Sequence, residues 1–259
     1  MKIRQTLKMA VSSIVSNKLR SFLTMLGIII GVASVVLLIS LVQAGSDSIM
    51  DQIQGLGGDQ IIAQITGTRR KVTLSDLKEL EGQGSISRIS PYLQSADTAA
   101  AGSFTDDVTV MGILPAYQDV QGFDIAQGRN ISDLDVEKRL NVCIVGAGTA
   151  RNVFGNTDVI GSTLRMGGRD LKIIGVLEEE DESMMNSTNH SVYLPLTTAQ
   201  RLYRQTAIMT FYASATDEDH MQKAQDEVDA FLEKKLGDTD SYQLINMSNV
   251  IDVMNTVMD

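Results

Sequence analysis

Few residues in this sequence are placed to do chemistry. Ile144-Val145-Gly146-Ala147-Gly148-Thr149-Ala150 resembles a dinucleotide-binding turn, in which glycines admit a pyrophosphate to a helix N-terminus. The third glycine position holds Arg151, and no clean βαβ unit with an acid about twenty residues on accompanies it, so the stretch reads as a strand-to-helix turn. No G-x-x-x-x-G-K-[ST] pattern occurs, which removes P-loop binding of ATP by this chain. His190 and His220 have no Cys, Ser or His at useful spacing, and His220 falls in the first turn of an expected surface helix. Cys143, inside an apolar run, is expected in the core rather than as a nucleophile. One cysteine and two histidines exclude a disulfide scaffold and a zinc module. Glu178-Glu179-Glu180-Asp181-Glu182 lacks EF-hand spacing, so the stretch to Asn189 is expected to be a solvated, mobile loop. Asn130, Asn186, Asn189 and Asn246 begin glycosylation sequons, a pattern short enough to arise by chance. No catalytic, cofactor or metal constellation emerges.

The elements around these residues carry more information. The chain has 259 residues with 43% hydrophobic and 21% charged, close to a globular average, which argues against wholesale disorder. Its net charge of −10 makes nucleic acid a poor partner. The charge is unevenly spread. Lys2, Arg4, Lys8, Lys18 and Arg20 precede any acid; removing those five leaves 17 basic against 32 acidic side chains from Asp47 onward. Ser21 to Ser46 carries no charge, and its apolar run meets the ~20 residues that a helix needs to cross a hydrocarbon core. The positive flank predicts a cytoplasmic N-terminus and an extracytoplasmic remainder. A cleaved signal peptide is the rival, suggested by Val42-Gln43-Ala44, but signal h-regions span only ~7–15 residues. Ile3, Leu7, Ala10, Val11 and Ile14 recur at helical spacing, as in an interfacial helix on membrane lipid. Within the span, Gly27 and Gly31 form a G-x-x-x-G motif continued by Ser34, a face that lets a second helix approach; glycine is also simply common in membrane helices.

Beyond the span, Ile49, Ile53 and Leu56 continue at helical period as a stalk until Gly55, Gly57 and Gly58 break it. Gln60–Ile65, Thr73–Glu81 and Ile86–Ser95 then read as strand, helix and strand, with Pro91 suggesting an edge or bulge. The same order returns as Ala207–Ala215, Asp217–Leu236 (capped by Thr216 or Asp217) and Tyr242–Met247. Two β-α-β halves predict one split sheet with helices on one face. Between them, residues 102–206 look β-rich: Val108–Leu114, Asn141–Val145, Val192–Leu194, and a hairpin of Ser162–Met166 and Arg169–Val176 about Gly167-Gly168. The predicted fold class is α+β: one N-terminal transmembrane helix, then an extracytoplasmic porter-like split β-α-β domain with an inserted β-rich module. The expected divisions are 1–20 amphipathic helix, 21–44 membrane helix, 45–58 stalk, 59–101 with 207–247 split domain, 102–206 insertion, and 248–259 second stalk.

Asn17-Lys18-Leu19-Arg20-Ser21-Phe22-Leu23-Thr24-Met25-Leu26-Gly27-Ile28-Ile29-Ile30-Gly31-Val32 closely resembles the first membrane helix of the MacB-type (macrolide exporter, FtsX-like) ABC transporter permeases. Gly112-Ile113-Leu114-Pro115, Gln127-Gly128-Arg129, Val145-Gly146 with Phe154-Gly155, Ile174-Gly175-Val176-Leu177 and Tyr193-Leu194-Pro195-Leu196-Thr197 resemble later segments of that family. The resemblance implies a four-helix permease in the cell (inner, cytoplasmic) membrane, working as a dimer of two permease copies. It implies a separate ABC nucleotide-binding (ATPase) subunit, so that the chain is itself no enzyme and holds no cofactor. ATP-driven movement would pass through helices and stalk to the outer domain and drive efflux of a drug, peptide or lipid-type substrate. Val250, Ile251, Met254, Val257 and Met258 form a final apolar stripe. In the family that segment leads into a second membrane helix, so the chain is expected to be a fragment, a truncated product or part of a split permease. The stalk contacts expected are Ile49, Ile53 and Leu56 against Ile251, Met254 and Met258. The alternative function is a single-pass anchored binding or sensory protein with no transport activity.

Overall fold

A computed structural model describes residue 9 and residues 18–55, 60–67, 70–81, 84–180 and 187–258. The chain divides into two compact units, one reaching to Gln52 and one from Ile53 onward.

The first unit is dominated by helix α1 (Lys18–Gly55), 38 residues without a break. Its Lys18–Gly45 portion is long and apolar enough to cross a membrane. At 1.5 Å per residue those 28 residues span about 42 Å, more than the ~30 Å hydrocarbon core. Side chains from Phe22 to Val42 stand exposed all round the helix. Each large apolar side chain left in water forgoes about 1.5–3 kcal/mol of burial, so this surface suits lipid.

The second unit is built on strands β1 (Gln60–Ile65), β2 (Ile86–Ala101), β3 (Phe104–Ile113), β4 (Ile125–Gly128), β5 (Val142–Val145), β6 (Thr163–Met166), β7 (Arg169–Leu177), β8 (Ser191–Pro195), β9 (Thr210–Ala215) and β10 (Tyr242–Asn246). Its helices are α2 (Leu74–Leu80), α3 (Tyr117–Gln121), α4 (Asp133–Glu137), α5 (Ala147–Phe154), α6 (Leu196–Tyr203), α7 (Met221–Leu236) and α8 (Met247–Met258).

The order β10-β1-β9-β2, antiparallel throughout, is a split β-α-β sheet: β1 and β2 flank β9, and β9 and β10 flank β1. Leu77 and Leu80 of α2 and Val228 and Leu232 of α7 pack with Ile61, Ala63, Phe211 and Ala213 in one core, so both helices cover the same face. Thr73 starts α2 with a capping box: its N–H donates to Asp76 Oδ2 at 2.9 Å. The first turn before α7 is a 3-10 turn, Glu218–His220, with the His220 N–H donating to Asp217 Oδ1 at 3.0 Å.

β2 serves two sheets. Its residues 86–92 pair with β9, and from Leu93 to Ala101 it pairs with β3. Pro91 lies opposite Phe211, two residues before the β3 pairing begins, so at Pro91 the strand has no neighbour on its other side. The missing proline N–H therefore falls on a local edge inside a long strand, and the register shift sits elsewhere, between Ile86 and Arg88.

Beyond Leu93 the strands run β2-β3-β8-β5-β7-β6, and one bridge from Ala100 to Arg165 returns β6 to β2, closing a small barrel. Gly167 and Gly168, both at positive φ, make the β6–β7 turn. Cys143, Leu164, Met166, Leu171, Ile173 and Val192 are buried in the larger core cluster. Burial pushes the Cys143 thiol well above its usual range, which leaves it inert. The expected α+β class is borne out, with an N-terminal apolar helix, a split β-α-β sheet and a β-rich insertion.

Candidate functional site

The glycine-rich turn after β5 is used for packing. Gly146 caps α5, and a Cβ there would lie 2.3 Å from the carbonyl oxygens of both Thr188 and Asn189. The 3-10 turn Thr188–His190 thus occupies the space in front of this helix N-terminus. The Gly146 N–H donates to Ser191 O at 2.8 Å. Gly-x-Gly appears in the sequence because a backbone must approach closely, and that backbone is the chain's own.

His190, which the sequence left without a partner, meets Asp106 of β3: Nδ1 lies 2.9 Å from Oδ2. Asp106 also accepts from Thr149 Oγ1 at 2.8 Å and Asn152 Nδ2 at 2.9 Å, so one carboxylate ties α5 and the 188–190 turn to the barrel. Burial opposes its ionisation, yet the hydrogen bonds from Asn152, His190 and Thr149 leave its pKa lowered. The one hydroxyl in the set, that of Thr149, is fully buried and donates to Asp106 itself, so the set reads as a clasp. The acidic stretch is also better anchored than expected. Glu179 forms two 2.6 Å bonds to Arg151, the Glu180 carbonyl accepts from Asn189 Nδ2 at 2.7 Å, and Asn189 is fully buried. Residues 181–186 of that stretch, Asn186 included, lie outside the described residues.

A second apolar cluster joins the barrel to the split sheet on the face opposite α2 and α7. Tyr92 of β2 stacks on Tyr212 of β9 with centroids 5.4 Å apart, and Tyr117 of α3 lies 5.6 Å from Tyr92 and 6.3 Å from Tyr193 of β8. Phe123 closes on Tyr193 at 4.9 Å. Burial raises the pKa of Tyr117, Tyr193 and Tyr212. Such ring contacts add roughly 0.5–1.5 kcal/mol each beyond area burial, so this is a stiff joint. The sequence shows these aromatics far apart, and nothing in their spacing predicts that they meet.

Next to the joint, Arg129 and Asp135 form a fork, Nη1–Oδ2 2.6 Å and Nη2–Oδ1 3.1 Å. Asp135 is buried and also accepts from the Ser132 N–H and Oγ, so its carboxyl is held down at about 2, chiefly by Arg129. This pins α4 beside a cleft of about 500 Å³. Leu74 and Leu77 of α2 form one wall, Ile89 and Pro91 of β2 the floor, and Leu114–Ala116 with α4 the far wall.

The residues singled out from the sequence divide as follows. A Cβ added at Gly27 or Gly31 would meet no described atom within 4 Å, and Ser34 Oγ donates to Ile30 O at 2.7 Å, which keeps its hydroxyl satisfied on the helix. Lys18 and Arg20 are exposed at the start of α1; Lys2, Arg4 and Lys8 lie outside the described residues. Ile49 and Ile53 are on α1, and Met254 and Met258 on α8, while Leu56 lies outside the described residues. Ile251 is half-buried.

An apolar helix leading into a split α/β sheet with an inserted barrel defines the class, a membrane-anchored α+β domain. Residues 21–231 match the MacB-like periplasmic core domain, and the chain belongs to that family. Among its relatives, the macrolide export ATP-binding/permease protein MacB 1/2 of Paracoccus denitrificans is 29% identical over 95% of this chain and 38% of its own length. The uncharacterized ABC transporter permease YknZ of Bacillus subtilis is 27% identical over 96% of this chain and 66% of its own. The chain thus spans less than two thirds of either relative. In three dimensions it is similar to the periplasmic region of MacB from Actinobacillus actinomycetemcomitans, with TM-score 0.68 and 19% identity over 80% of this chain and 98% of that one. The extracellular domain of YknZ from Gram-positive bacteria gives TM-score 0.63 and 21% identity over 72% of this chain and all of that one.

Proposed function

We propose that this chain is the membrane-anchored part of an ABC permease that exports or extrudes a substrate, with α1 in the cytoplasmic membrane, its basic N-terminus inside and the split domain outside. The observation that carries this is the continuity of α1: one unbroken helix runs from Lys18 through the apolar span to Gly55, close to the start of the family domain's first strand. A rigid rod of that kind suits transmission of force, whereas a simple tether needs no such stiffness. ATP hydrolysis takes place on a nucleotide-binding partner, and a second permease copy packs against the Gly27, Gly31 and Ser34 face. The stalk part of α1 and α8 move together as a lever, supported by apolar stripes in the sequence, Ile49, Ile53 and Leu56 before the split domain and Ile251, Met254 and Met258 after it.

The test is purification of the chain from native membranes in mild detergent. Co-purification of a nucleotide-binding subunit, with ATPase activity that follows this chain through two columns, is the expected result; a chain that purifies without any ATPase refutes the proposal. For the lever, cysteines at Ile53 and Met254 should crosslink under oxidation in native membranes, and persistent free thiols would sink it. Cys143 is fully buried and does not compete.

A further inference from the structure

The cleft beside α4 follows the start of β2, where residues 86–92 pair with β9 on one side and with no strand on the other. Ile89 lies opposite Ala213 and Pro91 opposite Phe211, both on the β9 side. The Ile89 N–H turns the other way and donates to Glu81 Oε1 at 3.2 Å. In an antiparallel ladder the N–H and C=O of one residue point to the same side, and the direction repeats every second residue, so the carbonyls of Ile89 and Pro91 face the cleft. The donors of this edge are thus blocked, one by Glu81 and one by the proline ring, while its acceptors remain. An added β-strand needs both, so strand addition is disfavoured here.

The charges around the cleft have the same bias. Glu81, Asp119, Asp133 and Glu137 line it against Lys78 and Arg88. Arg88 is already engaged with Asp119 at 3.2 Å. Asp133 and Glu137 stand one turn apart on α4, and none of the ion pairs among the described residues includes either. Like charges at that spacing repel each other, and a cation relieves the repulsion. Leu74 and Leu114, both only partly buried, supply apolar wall, and the volume of about 500 Å³ falls within the ~300–1,000 Å³ range of small-molecule sites.

We infer that this cleft binds a small cationic amphiphile, its ammonium hydrogen-bonding the α4 carboxylates and the β2-edge carbonyls while its apolar body lies against α2 and Leu114. This reading concerns binding to the outer domain alone, so it stands or falls separately from export.

The experiment uses the full chain in lipid nanodiscs, titrated with dansylcadaverine, which carries a primary amine. N-butyl dansylamide, which lacks the amine, is the matched probe, and empty nanodiscs supply the partitioning background. Saturable dansylcadaverine binding, with the butyl analogue at least about tenfold weaker, is expected. The double variant Asp133→Asn/Glu137→Gln should lose about tenfold for the amine and little for the analogue, with Lys78→Gln no weaker than the parent. Ala116→Trp, which fills the cleft, should abolish the saturable signal for both probes. Near-ultraviolet tyrosine circular dichroism checks that each variant is folded. Equal affinity for the two probes, an unchanged carboxylate variant, or saturable binding that survives Ala116→Trp in a folded protein would each overturn the inference, as would the absence of any saturable signal.

Discussion

The Arg129–Asp135 fork allows the sharpest prediction, because its geometry and its electrostatics point the same way. Asp135 is buried, takes two bonds from Arg129 and two from Ser132, and closes the capping box that starts α4. Its carboxyl is held at about 2, against a usual 3.8. That difference favours the folded chain by about 2 kcal/mol at neutral pH. Because the folded-state value is the lower one, the contribution is complete above pH ~5, falls as the pH drops, and is largely gone by pH ~2. Asp135→Asn removes the charge, turns an acceptor into a donor facing other donors, and leaves Arg129 without its partner. The expected loss at pH 7 is about 2–3 kcal/mol, the lower part of the range for a broken buried pair because solvent reaches Arg129. Urea unfolding of the full chain in detergent, followed by near-ultraviolet tyrosine circular dichroism, reads this directly: Tyr117 and Tyr193 sit in the same apolar cluster as Ile131 and Val136. The gap between parent and variant should shrink steadily from pH 5 to pH 2. A gap below about 0.5 kcal/mol at pH 7, or one that stays constant down to pH 2, would refute the reasoning.

Other perturbations follow from single contacts. A Cβ on Gly112 would lie 2.4 Å from that of Ala199, so Gly112→Ala should cost about 1–3 kcal/mol and Ala199→Gly should recover much of it in the double variant, both read from urea midpoints. Gly146→Ala pushes against two carbonyl oxygens at 2.3 Å and should speed hydrogen exchange in residues 188–191, with protection in β1 and β9 unchanged. Asp106→Ala leaves the buried Thr149 hydroxyl without its acceptor and should lower stability by about 1–3 kcal/mol, whereas His190→Gln, at a half-exposed site, should cost under about 1 kcal/mol. On α1, Gly27→Ile with Gly31→Ile should reduce crosslinking between copies in membranes without altering the tyrosine spectrum of the outer domain; crosslinking at the parent level would remove that face from the proposed dimer.

Much of this protein is written in local pattern. An uncharged run from Ser21 to Ser46 identifies a membrane-compatible helix without reference to any other segment, because span length and hydrophobicity are one-dimensional quantities. The capping residues at Thr73 and the Gly167-Gly168 turn are equally local, since each depends on a handful of adjacent dihedral angles. Repetition of strand-helix-strand at both ends was enough to indicate a split sheet with an insertion, because connection rules leave few other arrangements.

What the sequence could not show are the meetings between distant segments. Tyr92, Tyr117, Phe123, Tyr193 and Tyr212 come together only because β2 changes partner at Leu93 and lays the barrel against the split sheet. The sequence offered His190 no partner because Asp106 lies 84 positions away. Gly146 and Gly148 read in the sequence as a strand-to-helix turn, but only the fold shows that the backbone they admit is the 188–190 turn. The cleft is of the same kind, for its acceptor-rich edge exists only where β9 pairs one side of β2 and β3 has not yet begun on the other. Local sequence determined the apolar span, the capping box at Thr73 and the Gly167-Gly168 turn, since these depend on neighbours along the chain. Tertiary structure alone decided the joint, the clasp and the cleft, because their energies come from packing and charge between residues that the sequence keeps far apart.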